Sequence, residues 1–191
     1  RDEFDWVPEV EAAAPQMWAE LKARLADGGD FRPYVETRAD RPSPNNPLKD
    51  DPSWGAHYFW NNGEIVTEHA AASPATMAAL QKAPMPVIRG RSPMALWSLL
   101  KPGTHIQPHT GMLNTRLIVH IPLVTNADCA LRVGAETRRW EQGKAMIFDD
   151  SFEHEAWNRG RETRVILLFE IWRPEIGPAE REALTRLFET I

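Results

Sequence analysis

Apolar and polar positions change their period along this chain. Over residues 8–26, Met17, Trp18, Leu21 and Leu25 recur at steps of three and four, the apolar stripe of a helix. Pro8 suits a first helical turn and Pro15 the start of a second, because a proline's missing N–H loses no partner there. Asp27-Gly28-Gly29 stops the run. Residues 30–53 have no period and are rich in Pro, Asp and Asn, with Arg41-Pro-Ser-Pro-Asn-Asn-Pro47 inside. A loop this long is either a lid over a substrate or a plain surface wrap. His57-Tyr-Phe-Trp60 and Glu64-Ile-Val66 bracket Asn61-Asn-Gly63, which reads as a hairpin turn. Ser73-Pro74 opens a second helix with Met77 and Leu80 on its apolar face.

Beyond Pro84 and Pro86 the pattern becomes β. Apolar or alternating runs cover Met94–Leu100, Arg116–Val124, Cys129–Val133, Glu136–Trp140, Lys144–Phe148 and Arg164–Trp172. Turn signals separate them at Pro102-Gly103, Asn126-Ala-Asp128, Gly134, Gln142-Gly143 and Arg159-Gly160. Short strands at this spacing predict a mainly β chain, an antiparallel barrel or jelly roll. In Arg116-Leu-Ile-Val-His-Ile-Pro-Leu123, a period of two puts Leu117, Val119, Ile121 and Leu123 on one face. Arg116, Ile118, His120 and Pro122 share the other, which carries two groups that a plain core would not choose. Pro174, Gly177 and Pro178 end the sheet, and a terminal helix with Leu184, Leu187 and Phe188 inward is expected.

Composition narrows the class. A chain of 191 residues, 42% apolar with eight Trp, fits one folded domain. Its parts are a helical, loop and hairpin region at 1–90 packed on a barrel, a β core at 92–175, and a C-terminal helix at 178–191. A net charge of −5 gives no basic face for nucleic acid. A lone cysteine, Cys129, excludes an intrachain disulfide and suits a core position in a reducing compartment. No apolar run approaches the roughly 18 residues of a membrane span, and Arg1-Asp-Glu-Phe-Asp is no signal peptide, so a cytoplasmic protein is expected. The chain has no initiator Met, which leaves room for an upstream region.

The chemistry concentrates in two stretches. Lys101-Pro-Gly-Thr-His-Ile-Gln-Pro-His-Thr-Gly111 and Phe148-Asp-Asp-Ser-Phe-Glu-His154 each put a histidine beside a β run. Histidine is the commonest metal-ligating side chain, so His109 and His154 are candidate ligands if the strands fold face to face. An Fe(II) oxygenase with a facial triad would carry a carboxylate two residues past the first histidine, where this chain has Gly111. Two protein ligands would leave several positions for a cosubstrate, water and O2. Asp149 and Asp150 offer either an outer-shell carboxylate, with Asp150 preferred, or a turn aspartate. Arg164 heads the last apolar strand; a guanidinium there needs an anion, either a bound carboxylate or Glu162 or Glu170. Ser98 and His120 are placed to hydrogen-bond the same carboxylate, although Ser98 also reads as an ordinary strand hydroxyl.

From Ser98 to Trp172 the chain resembles the aspartyl/asparaginyl β-hydroxylase family of 2-oxoglutarate-dependent oxygenases. The likeness rests on Pro108-His-Thr-Gly111, Asn114-x-Arg116, Glu136-Thr-Arg-x-Trp140, Gly143-Lys and, above all, Ile147-Phe-Asp-Asp-Ser-Phe-Glu-His-Glu-x-Trp157. What it implies is a double-stranded β-helix with Fe(II) held by His109 and His154, without a ligating carboxylate. It further implies that Asp150 contacts iron-bound water, that Ser98, His120 and Arg164 bind 2-oxoglutarate, and that Arg116, near this pocket, is a further cofactor-binding residue. The animal enzyme has another basic residue at the position of Ile118, so cosubstrate geometry is expected to differ. The implied reaction consumes O2 and 2-oxoglutarate, releases succinate and CO2, and hydroxylates an unactivated C–H. The expected substrate is Asp or Asn at Cβ in a peptide or protein. The alternatives are a lipid acyl chain or a small amino-acid derivative. A non-catalytic cupin-like binding module is a third reading, against which stands the presence of His109, His154 and Arg164. Residues 30–70 are expected to shape the substrate mouth; Trp54, Tyr58 and Trp60 either line it or pack in the core.

Overall fold

A computed structural model describes residues 3–39, 42 and 45–190. Two helices, α1 (Val7–Ala12) and α2 (Ala14–Ala26), open the chain. Each has a proline in its first turn, which is why the expected 8–26 stretch is two helices. The strands β1 (Arg32–Pro33), β2 (Trp54–Asn61) and β3 (Glu64–Ile65) follow, then α3 (Thr67–Ala72) and α4 (Pro74–Leu80). The β core comprises β4 (Ala95–Leu100), β5 (His105–His109), β6 (Arg116–Val124), β7 (Cys129–Val133), β8 (Glu136–Arg139), β9 (Met146–Phe148), β10 (His154–Asn158) and β11 (Arg164–Trp172). A last helix, α5, spans Pro178–Thr190.

The strands form two antiparallel sheets. The larger runs β1-β2-β4-β11-β6-β9, with β3 on β2; the smaller runs β5-β10-β7-β8. From β4 onward the chain alternates between them: β4 large, β5 small, β6 large, β7 and β8 small, β9 large, β10 small, β11 large. This is the winding of a double-stranded β-helix, the expected fold.

Both faces of the large sheet are covered, and the period of two sorts its residues. Trp97 and Leu99 of β4, Val119, Ile121 and Leu123 of β6, and Val165, Leu167, Phe169 and Ile171 of β11 pack against the helices with Val10, Met17 and Leu21. The other face looks toward the small sheet. There Leu100 meets Ile106, Leu131 and Ala156, while Leu96, Ile118, Ile166 and Leu168 cluster nearer the mouth. Cys129 is fully buried in this inner core, and burial pushes its thiol pKa up. Ser98, Arg116, His120, Arg164 and Glu170 fall on the inward phase of their strands.

Three expectations change. β5 and β10 are strands although neither has an apolar run. β5 carries Pro108, tolerated because β5 is an edge strand with a register shift opposite it. α3 lies between the expected hairpin and the expected second helix, where the sequence pattern assigned no element. The terminal helix contributes no buried residue: Leu187 is 53% exposed, so it does not point inward as expected. The 30–53 segment is a wrap that also reaches the interior. Arg32–Pro33 pairs with β2, Val35 bridges Lys49, and Tyr34 stacks on Trp54 at 4.1 Å. Within its Pro-rich part, residues 40, 41, 43 and 44 lie outside the described residues.

Candidate active site

His109 ends β5 and His154 begins β10, and the two residues are direct cross-strand partners. Cross-strand neighbours on one face stand close enough for their side chains to meet. Their ring centroids are 4.1 Å apart with planes tilted by 53°. His109 Nδ1 lies 2.8 Å from the Gln107 carbonyl, and His154 Nδ1 lies 3.0 Å from the Phe152 carbonyl. A carbonyl only accepts, so each Nδ1 carries the ring proton and each Nε2 keeps its lone pair. A backbone carbonyl that accepts from one ring nitrogen orients a metal-bound histidine in this way. Burial also lowers the His154 pKa, favouring the unprotonated ring that can act as a ligand.

The rings open onto a cavity of about 330 Å³ between the sheets. At its deep end Arg164 is 1% exposed. Its Nη2 lies 3.5 Å from Ser98 Oγ, its guanidinium stands 5.0 Å from the Trp140 ring, and its Nε has no partner. Among the described residues no carboxylate pairs with it; Glu170 is engaged elsewhere. Burial lowers its pKa to about 10, which leaves it charged at neutral pH. A buried cation without a counter-anion is costly, so this end of the cavity is built for an anion.

Two neutral donors stand beside it. Trp140 Nε1 donates to His120 Nδ1 at 3.3 Å, which leaves the His120 proton on Nε2. Burial first, then Arg164 and His154, hold the His120 pKa well below its usual value, so the ring is neutral. Trp54 Nε1 lies 3.3 Å from Ser98 Oγ, which accepts from both Trp54 and Arg164 and keeps its own proton to donate. Trp54 both packs in the inner core and lines the cavity, whereas Tyr58 and Trp60 pack against the inner and outer cores respectively.

The two aspartates have different surroundings. Asp149 accepts from the backbone N–H and hydroxyl of Ser151 and pairs with Arg173, as a turn aspartate does. Asp150 is buried and lines the cavity; Arg116 Nη2 lies 3.2 Å from its Oδ2, and its Oδ1 has no partner. Arg116 also pairs through Nη1 with Glu170. Sequence reasoning gave no site role to Glu170. Its signal was a carboxylate on the same strand phase as Arg164, in an otherwise apolar strand.

A second cluster lies behind the large sheet: Asp30, His57 and His69 bring ligand-capable atoms within 4.8 Å of one another. His57 stacks on Trp97 of the helix-facing core, so this cluster is remote from the cavity.

Among the described residues no helix is long and apolar enough to cross a membrane. Residues 11–174 match the family described as aspartyl/asparaginyl beta-hydroxylase. The mouse aspartyl/asparaginyl beta-hydroxylase is 38% identical over 138 residues, 72% of this chain and 18% of that protein. The ornithine lipid ester-linked acyl 2-hydroxylase of Rhizobium tropici is 32% identical over 179 residues, 92% of this chain and 60% of that protein. The chain thus spans less than two thirds of either relative. Among solved structures, a cupin 2 conserved barrel domain protein from Salinispora arenicola is 11% identical with a TM-score of 0.40, covering 70% of this chain and 84% of that one. With the match over residues 11–174 and the histidine strands of a double-stranded β-helix, the chain belongs to the aspartyl/asparaginyl β-hydroxylase family.

Proposed function

We propose that this chain is an Fe(II)- and 2-oxoglutarate-dependent hydroxylase. The observation that carries the reading is one cavity holding two histidines with free Nε2 lone pairs and a buried arginine that no carboxylate among the described residues pairs with. The donor set fits the metal: two neutral imidazoles suit Fe(II), and no third protein ligand is required to close the site. When bound, Fe(II) and 2-oxoglutarate supply with O2 the oxidising chemistry; the cosubstrate leaves as succinate and CO2, and one oxygen enters a substrate C–H bond as hydroxyl.

The chain's own residues orient and shield. His109 and His154 hold the metal through Nε2, with the Gln107 and Phe152 carbonyls fixing their rings. Arg164 anchors the far carboxylate of 2-oxoglutarate, with Ser98 Oγ and His120 Nε2 as additional donors. Asp150 lines the same cavity and would offer its unpartnered Oδ1 to water held there. Ile118, Ile166 and Leu168 give the cavity an apolar wall that excludes water.

For the substrate, an Asp or Asn hydroxylated at Cβ in a peptide or protein follows from the family. A second reading, a lipid acyl chain, is favoured by two observations. The lipid hydroxylase aligns with more of this chain than the mouse enzyme does, and Met112 and Phe152, on the loops that flank the two histidines, are 95% and 61% exposed. Succinate release with Fe(II) and 2-oxoglutarate, screened against Asp/Asn peptides and acyl lipids, separates the readings. Arg164→Ala is expected to raise the 2-oxoglutarate requirement about 10- to 100-fold, the worth of a charge-assisted hydrogen bond. An unchanged requirement would remove Arg164 from the cosubstrate site.

A further inference from the structure

A side chain at position 111 would have to displace the Asp150 carboxylate. A Cβ built on Gly111 would overlap the Asp150 carboxylate, and the Gly111 N–H donates to the Asp150 carbonyl at 2.6 Å. Gly111 is not among the residues with positive φ, so the glycine is needed for space and not for backbone conformation. The volume that a ligating side chain two residues past His109 would occupy is filled by Asp150, delivered from the loop between β9 and β10.

Asp150 is held in that place by a chain of charges. Glu170, on the inward phase of β11, is 1% exposed. A carboxylate buried there needs partners. It has Arg116 Nη1, the Ser92 hydroxyl and the Met94 N–H, the last at 3.3 Å. The other terminal nitrogen of Arg116 reaches Asp150 Oδ2. Both ends of this guanidinium are therefore engaged by carboxylates, whereas Arg164 has none among the described residues. Asp150 Oδ1 stays buried and without a donor, in the same cavity as His109 and His154.

We propose that Arg116 and Glu170 are positioning residues: Glu170 fixes Arg116, and Arg116 fixes Asp150 beside the metal in the space that Gly111 leaves. Arg116 then acts as a strut and not as a receptor for the cosubstrate carboxylate. The proposal rests on the reading of His109 and His154 as metal ligands, but its mechanical part does not.

The test uses the whole chain with Glu170→Gln, Arg116→Gln and Asp150→Asn, singly and combined. Mn(II) binding is followed by calorimetry and by its paramagnetic resonance signal, and 2-oxoglutarate binding separately. Each single variant is expected to weaken Mn(II) binding about 10-fold, the usual effect of losing an outer-shell partner. In the Asp150→Asn background, Glu170→Gln and Arg116→Gln are expected to add nothing, because they act through Asp150. Affinity for 2-oxoglutarate is expected to change less than about 3-fold, in contrast to Arg164→Ala. Additive losses of Mn(II) affinity, or a fall in 2-oxoglutarate affinity in Arg116→Gln matching that of Arg164→Ala, would overturn the proposal. Should the wild type bind no Mn(II) through His109, the metal reading fails by itself. The strut is then judged without metal: the Tm losses of Glu170→Gln and Asp150→Asn must be less than additive, and additive losses refute it.

Discussion

Two histidine pairs lie on opposite sides of the large sheet, and distance alone does not tell them apart. His109 and His154 have ring centroids 4.1 Å apart; His57 and His69 are 3.8 Å apart. The second pair has a carboxylate, Asp30, within reach, so by count of clustered ligand atoms it is the richer of the two. Ring orientation reverses that order. An imidazole lone pair lies in the plane of its ring. The His57 and His69 planes are within 20° of parallel, so their lone pairs run side by side and do not converge on one point. His69 has the Tyr58 carbonyl at 2.7 Å from one nitrogen and Asp30 Oδ2 at 3.2 Å from the other, both acceptors. His57 Nδ1 lies 3.0 Å from the Asp30 carbonyl, and the ring sits between His69 and Trp97. This is a packed stack that ties α3 and the 30–53 segment to β2. The mouth pair, tilted by 53°, instead leaves both Nε2 atoms free. What the contrast teaches is that a metal centre is recognised by where lone pairs point and by which nitrogens are already used.

The comparison breaks most directly on metal affinity. His109→Ala is expected to lower Mn(II) or Fe(II) binding by at least about 100-fold, since even outer-shell changes cost 10- to 100-fold. His57→Phe is expected to leave it unchanged. Calorimetric titration of both variants decides the matter, with circular dichroism to verify folding. Equal losses would make the rear cluster a metal site.

A smaller effect concerns pH. Burial, the largest cause, holds the His57 pKa down to about 4 from its usual 6.5. The unfolded chain therefore binds the proton more readily, and stability from this group is complete above about pH 6.5 and declines as pH falls toward 4. Between pH 7 and pH 5 the wild type is expected to lose roughly 2 kcal/mol more than His57→Phe. Urea unfolding at the two pH values measures it. His120 and His154 shift in the same direction and remain in both proteins, so the difference isolates His57.

The smallest effect belongs to Asp30. Its side chain is 50% exposed, so its ion pair with His69 is screened by solvent. Asp30→Asn is expected to change stability by less than about 1 kcal/mol and metal uptake not at all. A measurable drop in bound metal in this variant would restore the rear cluster as a candidate.

Much of this was legible in the residues. β6 announced both of its faces, because apolar Leu117, Val119, Ile121 and Leu123 alternate with Arg116 and His120. The stretch from Ile147 to Trp157 carried a family signature. β5 and β10 were harder to see. The small sheet that holds them has an exposed side, so His105-Ile-Gln-Pro-His109 and His154-Glu-Ala-Trp-Asn158 show only short alternation, interrupted in β5 by Pro108. Glu170 was visible as an odd residue in an apolar strand, but its partner was not, because Arg116 lies 54 positions away.

The sequence by itself determined which side chains are available and on which phase of each strand they lie, since a period of two is a local property of the backbone. Tertiary structure alone decided which of them meet. That His109 faces His154, that Asp150 fills the space beside Gly111, and that Glu170 reaches Asp150 through Arg116 all depend on the register between strands distant in the chain. No local pattern encodes that register; it is set by burying two sheets against each other.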